Sequence, residues 1–260
     1  MTAFATVGRL VVQIHPDRAA MGRAAAWDAV EAIQAALVQR DAARVVLACA
    51  PSQDEMLAAL ADAAVDWARV TVFHMDEYAG LEAAHPASFR RYLQERFLSR
   101  VRPAAFQGIA GEAADAAAEC RRYAALLAAA PLDLVCLGIG ENGHLAFNDP
   151  PVADFADPAA VKLVRLDEDC RRQQVNDGCF RTLAEVPRRA LTLTIPVLLG
   201  ARRLVATVPG ARKASAVRAA LHGPVAPACP ASILRTHPAA TLHLDPAAAG
   251  AGGPPGSGHG

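Results

Sequence analysis

A short segment, GIGENGHLAFNDP at residues 138–150, concentrates side chains that could carry out acid–base chemistry. It places Asn142, His144 and Asp149 on a backbone made permissive by glycines. Histidine titrates near neutrality, with an unperturbed pKa of about 6.5, and a nearby aspartate can fix its tautomer and favour its protonated form. The spacing predicts an acid–base pair of His144 and Asp149. The alternative is an ordinary loop histidine followed by a turn-forming aspartate.

A second candidate is the pair of acidic residues Asp76 and Glu77 in HMDEY, residues 74–78. Neighbouring side chains of an extended segment point in opposite directions, so we expect only one carboxylate to enter a pocket. A partly desolvated carboxylate has a raised pKa and could remove a carbon-bound proton beside a carbonyl or imine. A helix cap at Asp76 or a solvated acidic loop is the alternative.

Anion-binding groups are predicted at two further places. In Ala50-Pro51-Ser52-Gln53, the Ser52 hydroxyl and the N–H groups of a following helix could meet a phosphate. In PGARK, residues 209–213, Lys213 supplies a point charge for the same phosphate. Arg171 and Arg172 could also serve, although such a charge run is more often a solvated helix face.

Three glycines of segment 138–150, Gly138, Gly140 and Gly143, formally match the dinucleotide-binding pattern G-x-G-x-x-G. In such a site a long helix follows the third glycine and holds the pyrophosphate at its N-terminus. Here Pro150-Pro151 follow within two turns and leave no room for that helix. We therefore predict no nicotinamide or flavin cofactor.

The elements that must position these residues alternate between helical and strand patterns, which predicts an α/β fold with a mainly parallel sheet covered by helices on both faces. Ligands of such sheets bind at the carboxyl ends of the strands. The loops at 50–53, 74–78, 138–151 and 209–213 all follow predicted strands. The predicted helices span 17–39, 52–63, 86–98, 113–129 and 211–222, and the predicted strands span 44–48, 70–73, 133–137, 190–195 and 204–208.

Composition narrows the class of protein. The 260 residues carry 26 Lys+Arg against 26 Asp+Glu and 5% aromatics, so neither charge nor stacking favours nucleic-acid binding. No signal peptide or membrane span is evident, and six scattered cysteines without CxxC spacing suggest neither a metal site nor disulfides. We predict a cytoplasmic protein with one domain at 1–246 and a disordered Gly/Pro-rich tail at 247–260.

Several segments together resemble the glucosamine-6-phosphate deaminase family, which belongs to a larger group with the 6-phosphogluconolactonases. The resemblance runs in order from about residue 10 to 245, and its GxNGHxAFN core differs from the GEDGHxAS type typical of lactonases. The matching segments are HMDEY (74–78), HPASF (85–89), GIGENGHLAFNDP (138–150), VPRRALTLTIP (186–196), VPGARKA (208–214) and SILRTHP (232–238).

The resemblance implies a modified Rossmann-like single domain that converts an aminosugar phosphate to fructose 6-phosphate and ammonia without cofactor or metal. By carry-over, His144 opens the sugar ring by protonating its oxygen, and Asp76 takes the C2 proton. An enolamine is reprotonated at C1, and water hydrolyses the resulting C2 imine. Gly140 and Gly143 would lie against the substrate.

The chain departs from the family pattern in three places. Asn142 and Asp149 stand where the best-known members have Asp and Glu, which leaves His144 one shorter carboxylate. Ser52 and Gln53 stand in a phosphate loop that is usually rich in Gly and Thr. The region 152–182 corresponds to a mobile lid that carries a phosphate arginine, for which both Arg171 and Arg172 are candidates.

Four functions remain open from sequence. The leading one is a deaminase acting on glucosamine 6-phosphate, and the same chemistry on the C4 epimer galactosamine 6-phosphate is a close rival. A 6-phosphogluconolactonase would use His144 but not Asp76. A sugar-phosphate sensor without turnover would explain Asn142 and Asp149. All four bind a small sugar phosphate, and the sequence leaves open whether the chain forms a homo-oligomer.

Overall fold

A computed structural model describes residues 2–250 of the chain. Its strands are Ala3–Val7 (β1), Leu10–Ile14 (β2), Ala43–Leu47 (β3), Val70–His74 (β4), Asp76–Tyr78 (β5), Ala105–Gln107 (β6), Leu134–Leu137 (β7), Val161–Arg165 (β8), Arg189–Leu193 (β9), Arg203–Val208 (β10) and Ala240–Leu244 (β11). Its helices are Arg18–Arg40 (α1), Asp54–Ala61 (α2), Phe89–Leu93 (α3), Ala116–Ala128 (α4), Glu168–Asn176 (α5), Ile195–Leu199 (α6) and Ala214–His222 (α7). Short 3-10 turns include Pro51–Gln53 and Ala211–Lys213, and a π-helical turn, Gln94–Leu98, extends α3.

The larger sheet has eight strands in the order β1-β2-β11-β10-β7-β3-β4-β6, and every pair except β1–β2 is parallel. The chain runs outward from β3 through β4 to β6 and then returns to β7 on the other side of β3. The gap between the ends of β3 and β7 is therefore the point at which the strand order reverses. In open α/β sheets this crevice is where ligands bind.

Helices cover both faces of this sheet, because side chains alternate along each buried strand. Val45 and Leu47 of β3 lie in one hydrophobic cluster with α1 and α2, whereas Val46 lies in the cluster on the opposite face with α4 and α7. The predicted α/β class, with a mainly parallel sheet and helices on both faces, is confirmed.

The second sheet is small and antiparallel, with the strand order β5-β9-β8. The sequence predicted the strand at 190–195 but placed it with the parallel strands, and it treated 74–78 as a loop. In the structure β5 begins two residues after β4 ends, and it pairs with β9 so that Asp76 lies opposite Thr192. This pairing holds the HMDEY segment extended across the end of the larger sheet.

The predicted tail does not begin at residue 247. Residues 246–250 form a turn, Ala248 is fully buried, and its backbone N–H donates to the Asp245 carboxylate at 2.7 Å. The rest of the predicted tail, 251–260, lies outside the described residues. Within the described residues no helix is long and apolar enough to cross a membrane.

Candidate active site

A cavity of about 380 Å³ lies at the carboxyl ends of β3, β4, β7 and β10. Each of the four loops expected to carry chemistry contributes to its wall. Of the predicted site residues, the structure brings together in this cavity Ser52, Gln53, Asp76, Gly140, His144 and Lys213. Asn142 and Asp149 lie behind His144 rather than on the cavity wall.

The His144 imidazole is held from one side by two oxygen acceptors. Its Nδ1 lies 2.8 Å from the Asn142 Oδ1 and 2.9 Å from the Asp149 Oδ1. Since neither acceptor carries a proton, Nδ1 must bear the hydrogen, a tautomer assigned from these contacts. The Asn142 amide also donates to Asp149 at 3.0 Å. These contacts leave Nε2 as the nitrogen able to exchange a proton with a ligand.

The Asp149 carboxylate is 1% exposed, yet its hydrogen bonds favour the charged form. Burial alone would raise its pKa, but the hydrogen bonds and charge of His144, together with the Asn142 amide, outweigh burial and lower the pKa. An ionised Asp149 can then support the imidazolium form of His144. The acid–base pair expected from sequence is therefore in contact in the structure.

Two glycines allow the loop after β7 to pass close to neighbouring groups. A Cβ at Gly140 would lie 2.2 to 2.3 Å from ring atoms of His144, so the imidazole rests directly on this residue. A Cβ at Gly138 would lie 3.2 Å from the Gln53 amide nitrogen and 3.4 Å from the Ser52 hydroxyl. Gly140 therefore lets the His144 ring lie against its own loop, and Gly138 lets the loops after β3 and β7 meet. Gly143, with a φ of +86°, lies beside Cys229 and does not reach the cavity.

Asp76 is the carboxylate that faces the cavity, at 7% exposure. Burial, and after it the nearby charge of Glu77, raises the pKa of Asp76 well above its ordinary value. A carboxylate with a raised pKa is a stronger base than one in water. Asp76 is the first residue of β5, and the pairing of β5 with β9 fixes the direction of its side chain.

Glu77 points to the other side of β5, as the alternation of an extended segment requires. It is fully buried and accepts hydrogen bonds from the Ser88 hydroxyl at 2.8 Å and from the Phe89 and Arg90 backbone at 3.2 and 3.1 Å. Burial raises the pKa of Glu77, and these hydrogen bonds oppose the shift. Glu77 therefore anchors the start of α3 and takes no part in the cavity.

Lys213, Ser52 and Gln53 gather at one end of the cavity. The Gln53 amide nitrogen donates to the Thr207 carbonyl at 3.1 Å and to the Ser52 oxygen at 3.0 Å, which leaves the Ser52 hydroxyl proton free to donate. Lys213 is 7% exposed. Burial lowers the pKa of Lys213, and the charges of Asp177 and Glu141 oppose that shift. This end of the cavity suits an anion.

The two arginines expected at the phosphate are directed elsewhere. Arg171 donates to the backbone carbonyls of Leu183 and Val186 at 2.5 and 3.0 Å, and Arg172 pairs with Glu168 on the outer side of α5 at 2.5 Å. Neither lines the cavity. Both residues lie off the helix face that packs inward, so the structure does not bring either of them to this cavity.

Sequence reasoning missed several polar residues on the cavity wall. They are Gln173, Gln174, Asn176 and Asp177 on or just after α5, Arg18 at the start of α1, and Arg212 after β10. Arg212 ties the end of α5 to the loop after β7, through Asp177 at 2.6 Å and Glu141 at 3.2 Å. The sequence held one usable signal. Cys170, Gln173, Gln174 and Asp177 recur at the spacing of a single helix face.

One group of side chains in the described residues has the types that bind metals: His144, Asp149 and Cys170, with ligand atoms within 4.8 Å of one another. The imidazole–carboxylate distance of 2.9 Å is that of a hydrogen bond, whereas two ligands of a tetrahedral Zn²⁺ lie about 3.3 Å apart, from bond lengths of about 2.0–2.1 Å. Burial and the charge of Asp149 raise the pKa of the Cys170 thiol, which disfavours the thiolate that a metal needs. The geometry fits an acid–base pair better than a metal site.

Comparison with protein families gives one match of broad coverage. Residues 16–243 match the family described as glucosamine-6-phosphate isomerases/6-phosphogluconolactonase. Among curated relatives, a glucosamine-6-phosphate deaminase of Pseudarthrobacter chlorophenolicus is 40% identical over 200 residues, which cover 76% of this chain and 75% of the relative. That of Arthrobacter sp. is 38% identical, and the aligned residues cover 85% of this chain and 86% of the relative.

Solved structures agree in fold. A monomeric glucosamine-6-phosphate deaminase superposes with a TM-score of 0.85 at 29% identity, covering 93% of this chain and 99% of that one. A 6-phosphogluconolactonase from Shewanella baltica gives a TM-score of 0.76 at 22% identity, covering 93% and 97%. The lactonase shares the fold, while the two curated relatives described above are named glucosamine-6-phosphate deaminase.

Proposed function

Because the chain belongs to the family of glucosamine-6-phosphate isomerases and 6-phosphogluconolactonases, we propose that it is a glucosamine-6-phosphate deaminase. The enzyme converts the aminosugar phosphate and water to fructose 6-phosphate and ammonia. One observation carries this proposal: Asp76 and His144 line the same cavity, which ends at Lys213. The named curated relatives support the choice of substrate.

The first step is opening of the sugar ring by His144. The Nδ1–H is held by Asn142 and Asp149, so the imidazolium directs its second proton, on Nε2, to the cavity. The ring oxygen takes that proton as its bond to C1 breaks. The C1 hydroxyl gives its proton to the Nε2 that is left neutral, and the C1 aldehyde forms. Ring opening requires a group that can both donate and accept a proton, which an imidazole can do.

The second step is removal of the C2 proton by Asp76. The carboxylate is desolvated at the cavity wall, and burial raises the pKa of Asp76, so it is a stronger base than an exposed aspartate. The electrons of the C2–H bond form the C1–C2 double bond, and the aldehyde oxygen takes the Nε2 proton of His144 to give an enolamine. The protonated Asp76 gives its proton to C1, which produces a C2 iminium. Water adds to C2 and gives a proton to the Nε2 of His144, and the C2–N bond then breaks to leave the ketone and ammonia.

The remaining residues have binding and positioning roles in this proposal. Lys213 and the Ser52 hydroxyl bind the phosphate, and Gln53 positions Ser52 through its own two hydrogen bonds. Gly140 lets the imidazole lie against the backbone. No step requires a cofactor or metal, and the chemistry suits a cytoplasmic enzyme of amino-sugar catabolism.

The test is ammonia release, with the sugar product identified, from purified protein without added metal or nucleotide. Glucosamine 6-phosphate, galactosamine 6-phosphate and 6-phosphogluconolactone are offered in parallel. We expect ammonia and fructose 6-phosphate from the first. Turnover of only the galacto epimer would transfer the assignment to that substrate, and lactone hydrolysis without ammonia release would replace the deaminase by a lactonase.

A further inference from the structure

Helix α5 covers the anion-binding end of the cavity with a polar face. Residues spaced three and four apart on a helix share one side, and here that side holds Cys170, Gln173 and Gln174, all buried. A buried helix face is normally apolar because it packs on a core. Two glutamines on this face are explained by the cavity that they line.

The two glutamines differ in what they contact. The Gln173 oxygen accepts from the Glu141 backbone N–H at 2.9 Å, and its nitrogen lies 3.3 Å from the Asp177 carboxylate, so this side chain is used within the fold. Gln174 is 8% exposed and lines the cavity, and within residues 2–250 its amide group makes no side-chain hydrogen bond. An amide that faces a cavity and has no protein partner is available to bond a ligand or water.

The cations around the cavity are mostly neutralised. Arg18 pairs with Glu55 at 2.5 Å, and Arg212 pairs with Asp177 and Glu141. Of the cations on the cavity wall, Lys213 alone has no carboxylate within ion-pair distance among the described residues. A phosphate dianion at this end therefore meets one free ammonium group and must complete its contacts with neutral donors.

We propose that Gln174 is the residue by which α5 binds the substrate phosphate, as a neutral amide donor beside Lys213. This inference rests on the proposed function and names a specificity-determining residue for it. Arg171 and Arg172 are adjacent in sequence but lie about 100° and 200° around the helix from Cys170, so they face away from the cavity. Helix α5 thus gives the phosphate a neutral hydrogen bond from Gln174 instead of the positive charge that an arginine would give.

The experiment measures inorganic phosphate binding by calorimetry and the kinetics with glucosamine 6-phosphate, on the full chain. Gln174→Leu removes both hydrogen-bonding atoms, and Gln174→Glu keeps the shape but adds a negative charge. Gln94→Leu, an exposed glutamine on the turn after α3, is the matched control. Melting curves check folding, and Gln174→Glu carries the test if Gln174→Leu does not fold.

We expect the Kd for inorganic phosphate and the KM each to rise roughly ten-fold or more in Gln174→Leu, the loss of a hydrogen bond to a charged group. The rise should be larger in Gln174→Glu, where two negative charges meet. The value of kcat should stay within about two-fold, because phosphate contacts act alike in the ground and transition states.

Two results would overturn the inference. One is unchanged phosphate affinity in both Gln174 variants, and the other is a rise in Kd in Arg172→Leu instead, which would mean that α5 turns its arginine inward on binding. The binding of inorganic phosphate can be measured whether or not the protein turns over a sugar phosphate. If the parent protein binds phosphate but releases no ammonia, the proposed function fails while the role of Gln174 is still decided.

Discussion

At the residue scale, His144, the proposed acid, is held in place by two other side chains. Asn142 and Asp149 both bond the imidazole Nδ1, and they also bond each other. A carboxamide in place of a second carboxylate avoids two negative charges in contact, and it still supplies an acceptor to the imidazole. Asn142 is therefore chemically compatible with the acid role of His144.

Asp76→Asn tests the base directly. The neutral amide cannot take the C2 proton, so kcat should fall by about a thousand-fold or more, while inorganic phosphate binding is retained. Ammonia release and calorimetry measure the two effects. Full turnover by this variant would remove Asp76 from the reaction and favour the lactonase alternative.

The same substitution should stabilise the fold at neutral pH. Burial raises the folded-state pKa of Asp76, so its ionisation costs stability as pH rises above the unfolded value of 3.8. The melting temperature of Asp76→Asn should therefore exceed that of the parent at pH 7, and the difference should shrink toward pH 4. Equal melting temperatures across this range would contradict the raised pKa.

Asn142→Ala tests the positioning role at this site. The change removes one acceptor from the His144 Nδ1 and one donor from Asp149, so the imidazole is held less firmly. We expect kcat to fall by about 10- to 100-fold with little change in KM, by analogy with residues that orient metal-bound histidines. A rise in KM with unchanged kcat would instead place Asn142 in substrate binding.

At the element scale, the loops around the cavity can pack closely because glycines leave room at their contacts. Gly140→Ala puts a methyl group inside the His144 ring position, and a displacement of about 1 Å can reduce turnover by about 100-fold. Gly138→Ala meets only the ends of Gln53 and Ser52, so it should raise KM a few-fold and spare kcat. Steady-state kinetics of the two variants separate these effects. Equal changes of kcat and KM in both variants would contradict the proposal that Gly140 serves the reacting end of the cavity and Gly138 the phosphate end.

Helix α5 is fastened to the loop after β7 mainly at its C-terminal end, by Arg212 and Gln173. Arg212→Gln should speed hydrogen exchange in α5. The melting temperature should hardly change, because Arg212 is half-exposed and such ion pairs contribute about 0–1 kcal/mol. Arg172→Gln, which loses only a pair within the helix, is the control, and equal exchange in the two variants would exclude this fastening role.

At the scale of the whole molecule, acid sensitivity should depend on His74. Burial, and secondarily the charge of Arg90, lowers the folded-state pKa of His74 from 6.5 to about 3, and its Nε2 accepts from the Ile109 N–H at 2.8 Å. Below pH 6.5 the unfolded chain binds a proton that the folded chain refuses. Stability should therefore fall by up to about 1.4 kcal/mol per pH unit as pH drops from 6.5 toward 3.

The corresponding variant is His74→Gln, which keeps an acceptor for Ile109 but has no proton to bind. Its unfolding free energy in urea should depend less steeply on pH between 4 and 6.5 than that of the parent. His222→Gln, at an exposed position on α7, is the control. Parallel pH dependences in the parent and His74→Gln would show that another group governs acid unfolding.

Much of the fold and of the cavity follows from the sequence, for identifiable reasons. Buried parallel strands are short apolar runs separated by helical periodicity, so β3, β4, β7 and β10 were predicted within a few residues, and their end loops contain most of the candidate residues. The N-terminal hairpin β1–β2 and strand β11 were not predicted. The polar residues Gln13 and His243 interrupt their apolar patterns.

The sequence by itself determined the chemistry that this protein can perform, because reactivity belongs to residue types: an acid–base histidine, an aspartate and a lysine placed after strand ends. Only the tertiary structure decided which copies of those types act. It turned Asp76 rather than Glu77 into the cavity through strand pairing, and it turned Gln174 rather than Arg171 inward through the pitch of α5. Helical spacing and strand alternation show which side chains share a face, but packing against distant segments decides whether that face turns inward.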